Sequence, residues 1–176
     1  MTIQFRFNLQ KAIEVTAMLR KLHGSKIFDT DLQQMLYLID RCSIRDTNYP
    51  IIGGTYVKHE TVRIGEVNKC LFWDYKIVEW RKYFSFSRGY IDLISDPGNQ
   101  NLSEREEEQI RFIYETIRYL GLSTFIFNFP EWESSYNYST LDIVKLLKVL
   151  EKTEEEIEEI RLIALRENYL DNLLGE

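Results

Sequence analysis

Apolar residues recur at helical spacing over most of this chain, and the exceptions gather in its middle third. Leu9, Ala12, Ile13, Thr16, Ala17 and Leu19 share one helical face. Asn8 stands at the N-cap position of that helix and Gly24 where a left-handed C-cap falls, so the pattern predicts a helix from about residue 9 to Leu22. Leu32, Met35, Leu36, Ile39 and Cys42 follow the same i, i+3, i+4, i+7 rule, and Tyr37, Leu38 and Ile44 widen the face until little of the helix is left for solvent. Thr30 with Gln33 reads as its capping box. Asp46 to Pro50 ends it, because these residues favour turns and a proline disfavours helix at the residue before it.

Gly53-Gly54 next lets the backbone turn sharply into a strand at residues 55–58. Gly65 to Tyr75 reads as a short helix with Val67, Cys70 and Leu71 on one side. Lys82–Ser87 and Tyr90–Ile94 read as two strands joined at Ser87-Arg88-Gly89, with Phe84 and Phe86 alternating against serines at period two. Asp96-Pro97-Gly98-Asn99 breaks the chain. Helices resume at Ser103, whose capping box with Glu106 opens a segment to Leu120, and Gly121 stops it. A shorter helix is expected from Thr124 to about Phe129, ended by Pro130, and another opens at Ser139 over Leu141, Val144, Leu147 and Leu150. A third box, Thr153 with Glu156, starts a final helix over about 154–174 whose apolar stripe persists almost to its end. Such a helix either docks on the core or offers a surface to another chain. The fold expected is α+β and predominantly helical: one domain over 1–176, with a small antiparallel sheet in the middle third.

Composition narrows the class. The chain has 176 residues, 44% hydrophobic and 14% aromatic, with only 3 Pro and 8 Gly, which fits one domain with a real core and no low-complexity tail. No stretch approaches the ~20 apolar residues that span a bilayer, and no signal-peptide core opens the chain, so a cytoplasmic protein without a membrane is expected. The net charge is -6 and unevenly placed: residues 1–102 carry 14 Lys+Arg against 11 Asp+Glu, and residues 103–176 carry 8 against 17. An acidic face for a basic partner and a solvated helix face both fit that asymmetry.

Chemistry is sparse. There is no GxSxG, P-loop or HExxH pattern, and Gly53-Gly54 lacks dinucleotide-binding spacing. Cys42 and Cys70 with two His make no metal set, Cys42 reads as a small buried hydrophobe, and neither metal nor cofactor is expected. His23 reads as a dipole partner at its helix end. His59-Glu60 is the sole adjacent acid–base pair, on a turn-like stretch, and carries the only enzymatic reading. Arg81, Lys82, Tyr83, Phe84, Phe86, Arg88 and Tyr90 would give a basic aromatic face for single-stranded nucleic acid, but a pI near 5.1 disfavours that reading and core aromatics fit better. Asp40 on a mostly apolar helix needs a partner. Either Arg41 or Arg45 supplies an internal salt bridge, or Asp40-Arg41 is a partner-facing charge beside Gly53.

The run LQQMLYLIDR followed after a spacer by YPIIGGTYV resembles the opening signature of the Panacea domain, the SocA-like antitoxin domain that also includes phage-associated proteins. The matching positions are Leu36, Tyr37, Asp40, Arg41, Pro50, Ile51, Gly53, Tyr56 and Val57. Leu102-Ser103 with Glu106, Gly121-Leu122-Ser123 and Pro130-Glu131-Trp132 extend the resemblance to roughly residues 9–160. Family members carry a Gly-Pro-Val-Pro-like turn after the Tyr-Val strand. Here both prolines are absent from His59–Val67, so partner preference is not carried over across the divergent turn Arg63–Val67. The resemblance implies a non-enzymatic antitoxin that binds a cognate protein toxin encoded nearby, or delivers it to a protease or unfoldase as an adaptor. It points to Asp40, Arg41, Gly53, Tyr56, His59 and Glu60 as the toxin-binding region. An interaction protein of phage or mobile-element origin without a toxin is the alternative, and a homodimer through the last helix is compatible with both.

Overall fold

A computed structural model describes residues 2–58, 61–72, 78–122, 129–132 and 138–174. The chain is α+β and predominantly helical, with two small antiparallel sheets. Helix α1 (Leu9–His23) starts on the Asn8 side chain, which accepts from the Lys11 N–H, and ends on Gly24 at φ +76. Strand β1 (Ile27–Phe28) leads into helix α2 (Asp29–Thr47), which closes on Asn48 in the left-handed region. Strands β2 (Tyr56–Lys58) and β3 (Val62–Ile64) form one sheet. Helices α3 (Gly65–Phe72) and α4 (Val78–Tyr83) precede strands β4 (Phe84–Ser87) and β5 (Tyr90–Leu93), and β5 sits between β1 and β4 in the other sheet. Helix α5 (Glu104–Leu120) is followed by a 3-10 turn at Pro130–Trp132, helix α6 (Ile143–Val149) and helix α7 (Glu154–Leu174).

The core is continuous. Side chains of α1 and α2 form its centre, β3 lies against α2, and α5 closes it from α1 and α2. Where the caps are local the elements begin and end as expected: Ser103 and Glu106 make a reciprocal capping box, and Thr153 and Glu156 make another. The β4–β5 hairpin turns on Arg88 and Gly89, both at positive φ, as a two-residue loop matched to strand twist requires.

Three expectations need correcting. Helix α2 starts at Asp29 with Phe28 at its N-cap and no side-chain cap, so Thr30 and Gln33 form no capping box. Gln33 is buried and accepts instead from the Ile64 N–H at 3.0 Å. Lys82 and Tyr83 belong to α4, because burial of Trp80 winds that segment into a short helix before the strand begins. Residues 139–141 do not open a helix; they pair with β2, Lys58 donating to the Ser139 carbonyl at 2.9 Å and Leu141 to the Tyr56 carbonyl at 2.9 Å. Helix α6 starts later, capped by Asp142. The strands lie in the middle third as expected, with the two-residue β1 ahead of α2 added at one edge. The helix expected over Thr124 to Phe129 falls largely on residues outside those described.

Candidate functional site

The residues singled out by the sequence converge below the surface, at the corner between α2 and β2. Asp40 is fully buried three turns into α2. Its Oδ1 accepts from the Ile52 N–H at 2.8 Å, and its Oδ2 accepts from the Gly53 N–H at 2.9 Å and the Tyr56 hydroxyl at 2.8 Å. A carboxylate thus serves as acceptor for a chain reversal whose amide donors have no strand partner. Burial pushes the Asp40 carboxyl up to about 7, against the pull of Ile52, Tyr56, Gly53 and Ile51. Burial, together with the Asp40 charge, raises the Tyr56 hydroxyl well above its ordinary range.

Gly53 sits at φ +73 with its missing side chain facing the Arg6 carbonyl oxygen, so any Cβ would overlap the backbone of the N-terminal segment. That segment is held in place by Asn8 N–H donating to the Ile52 carbonyl at 2.8 Å and by a bridge between Phe5 and Gly54. On the far side of the corner, Glu66 of α3 accepts from the Thr55 N–H at 2.8 Å and from its hydroxyl at 3.0 Å.

A second buried cluster adjoins the first. Tyr37 meets Tyr56 edge to face at 5.4 Å between ring centres. The Tyr37 hydroxyl donates to Glu131 Oε1 at 2.8 Å and accepts from Trp132 Nε1 at 3.2 Å. Arg41 closes on the same carboxylate through Nε at 2.6 Å and a second nitrogen at 3.3 Å, with its guanidinium 4.2 Å from the centre of the Phe129 ring. Burial opposes the Arg41 charge, but the Glu131 hydrogen bond and charge outweigh it and hold the guanidinium above its ordinary value. Burial, then the Glu131 charge, pushes the Tyr37 hydroxyl well up.

The salt bridge expected between Asp40 and Arg41 or Arg45 is therefore absent. Arg41 pairs with Glu131 and Arg45 with the adjacent Asp46, while Asp40 is held by the Ile52 and Gly53 amides and the Tyr56 hydroxyl. Of the proposed contact residues, Asp40, Gly53 and Tyr56 are buried and bound to one another, and only the edge of Arg41 reaches solvent. They shape the surface above them without forming it. His59 and Glu60 lie outside the described residues. Sequence reasoning named Glu131 only within the Pro130-Glu131-Trp132 part of the resemblance and gave it no role, since it follows a turn proline and carried no signal of burial. It also missed Glu14, a buried carboxylate on α1 that accepts from the Asn101 and Leu102 amides ahead of α5. Glu14 stood between apolar positions of α1, which is the signal that would have found it.

The aromatic sheet face does not form. Register places Phe86 opposite Ile91 and Tyr90 opposite Ser87, so the two exposed rings lie on opposite faces, and Phe84 is buried. No group of three or more His, Cys, Asp or Glu among the described residues is arranged to hold a metal ion. No helix among them is long and apolar enough to cross a membrane.

The outer surface is different in kind on α7. Ile157, Ile160 and Ala164 turn inward, Asn168 donates to the Gln4 carbonyl at 2.9 Å, and the Tyr49 hydroxyl donates to Glu167. The far side carries Leu162, Leu165, Tyr169 and Leu173, all more than half exposed. Their spacing of three, four and four residues places them in one stripe. No family model, curated protein or solved structure matches the chain.

Proposed function

We propose that the protein is an antitoxin-like, non-enzymatic binding protein of the cytoplasm, which neutralises a cognate protein toxin by stoichiometric contact. The observation that carries the reading is the exposed apolar stripe Leu162, Leu165, Tyr169 and Leu173 on a helix already anchored by its other face. A contiguous apolar surface of this kind marks a protein interface. The resemblance of residues 36–57 to the Panacea signature supplies the class of partner. Delivery of the bound toxin to a protease or unfoldase belongs to the same reading, since an adaptor needs one surface for each. Asp40, Gly53 and Tyr56 act in it as the frame that fixes the β2–β3 region, and Arg41 with Glu131 as the frame of the Pro130–Trp132 turn.

Co-expression with the adjacent open reading frame tests it. The expected result is that the neighbour arrests growth alone, and that this protein restores growth and co-purifies with it at a fixed ratio. A neighbour that is harmless, or that never co-elutes, sinks the toxin reading and leaves an interaction protein of phage or mobile-element origin. Alanine at His59 or Glu60 is expected to leave protection intact; loss of protection with retained binding would favour an enzyme.

A further inference from the structure

The end of α1, the start of α2 and the end of α5 meet around a cleft of about 360 Å³ that the toxin-binding reading does not use. Cavities of ~300–1,000 Å³ hold small molecules, and this one is at the small end of that range. Its floor is apolar: Ile27, Met35 and Ile117 are buried there, with Leu22 and Leu122 at the rim. Its polar groups stand on different walls. Arg118 and Tyr114 come from α5, Asp31 from the first turns of α2, and His23 from the last residue of α1.

These groups are incompletely matched to one another. His23 Nδ1 lies 3.2 Å from the Tyr114 hydroxyl. Neither Arg118 nor Asp31 makes an ion pair among the described residues. Partial burial, helped by the nearby Asp29 carboxylate and opposed by His23, holds the Asp31 carboxyl above its ordinary range. Arg118 acts on the Tyr114 hydroxyl. In the larger groove beside the start of α5, by contrast, Lys11 pairs with Glu106 at 2.6 Å and Ser103 donates to the same carboxylate.

A cation on one wall, a carboxylate on another and an apolar floor between them match a small zwitterion with an apolar tail. We propose that this cleft binds a free α-amino acid with an apolar side chain, its carboxylate at Arg118, its ammonium at Asp31 and its side chain against Ile27, Met35 and Ile117. A plain carboxylate would leave Asp31 unmatched, and a plain amine would leave Arg118 unmatched.

Calorimetric titration of the full chain with L-leucine tests the assignment, with N-acetyl-L-leucine and L-leucinamide as probes that each lack one charge. L-leucine is expected to bind saturably and each capped probe to bind about tenfold more weakly or worse, as loss of one charged hydrogen bond implies. Arg118→Gln should weaken L-leucine but leave leucinamide unchanged. Asp31→Asn should weaken L-leucine but leave N-acetyl-leucine unchanged. Both residues stand at the rim of the cleft and are only partly covered, so the variants are expected to melt close to the parent. Absence of saturable L-leucine binding, equal binding of all three probes, or variants within twofold of the parent would each overturn the proposal. None of these results bears on toxin binding, which is read by co-expression.

Discussion

Helices α2 and α7 reverse each other's habits. Helix α2 is covered along nearly its whole length, yet it buries Asp29, Gln33, Gln34, Asp40 and Ser43. Helix α7 has a single buried stripe, yet it exposes more large apolar residues than any other element described here. In α2 the polar side chains substitute for strand partners: Asp40 and Gln33 accept from Ile52, Gly53 and Ile64 amides that lie at turns and sheet edges. In α7 the outward leucines contribute nothing to the core. Burial by itself therefore does not rank these residues; the question is which group would lose its partner if the side chain were removed.

The comparison breaks most visibly at Asp40. Asp40→Ala strands two amides and the Tyr56 hydroxyl in the interior, and is expected to destabilise the fold by about 4 kcal/mol or more in urea unfolding. A loss below about 1 kcal/mol would mean water or a shifted backbone replaces the carboxylate.

Asp40 also sets a pH dependence. Its folded value of about 7 stands above the ordinary carboxylate range of the unfolded chain, so the folded state holds the proton more tightly. The stability it contributes is full below about pH 4 and falls as pH rises to about 7, by roughly 1.4 kcal/mol per pH unit, then levels. Urea midpoints of the parent and Asp40→Asn from pH 4 to 8 check this; the difference should slope only in that window, and a flat difference would refute it.

Gly53→Ala comes next, at about 2–3 kcal/mol, because the new Cβ meets the Arg6 carbonyl and φ is +73. Gly98→Ala serves as the control: φ is +78 there but nothing stands within 4 Å, so the loss should stay near 1 kcal/mol by thermal melt, which separates steric overlap from backbone strain.

The smallest effect on stability belongs to α7. Leu165→Glu and Tyr169→Lys should shift it by no more than about 0.5 kcal/mol, yet abolish co-purification with the proposed partner. A variant that binds undiminished would place the interface elsewhere.

What could be read from the sequence follows from the range of the forces involved. Helices α1, α5 and α7 were legible because a cap and a stripe are local: Asn8, Gly24, Ser103 with Glu106, and Thr153 with Glu156 all act within a turn of their own backbone. Helix α4 was not legible, since six residues are too few to display a helical period and Trp80 decides the matter by burial. The 139–141 segment was misread because its pairing with β2 is long-range and overrides the helical spacing of Leu141 and Val144. At the site, the resemblance grouped Asp40, Gly53 and Tyr56, but the hydrogen bonds that join them were not legible. Two of the three donors are backbone amides, and a sequence displays only side chains.

The pairing of β2 on both edges has a consequence for synthesis. One edge is closed by β3, a few residues downstream, but the other waits for residues 138–141. As the chain emerges from the ribosome, β2 holds an open row of amides and carbonyls throughout the making of α3, α4, the β4–β5 hairpin and α5. Unpaired strand edges are templates for self-association, and nascent chains are most vulnerable where closure comes late. The segment that completes the sheet thus also removes that open edge.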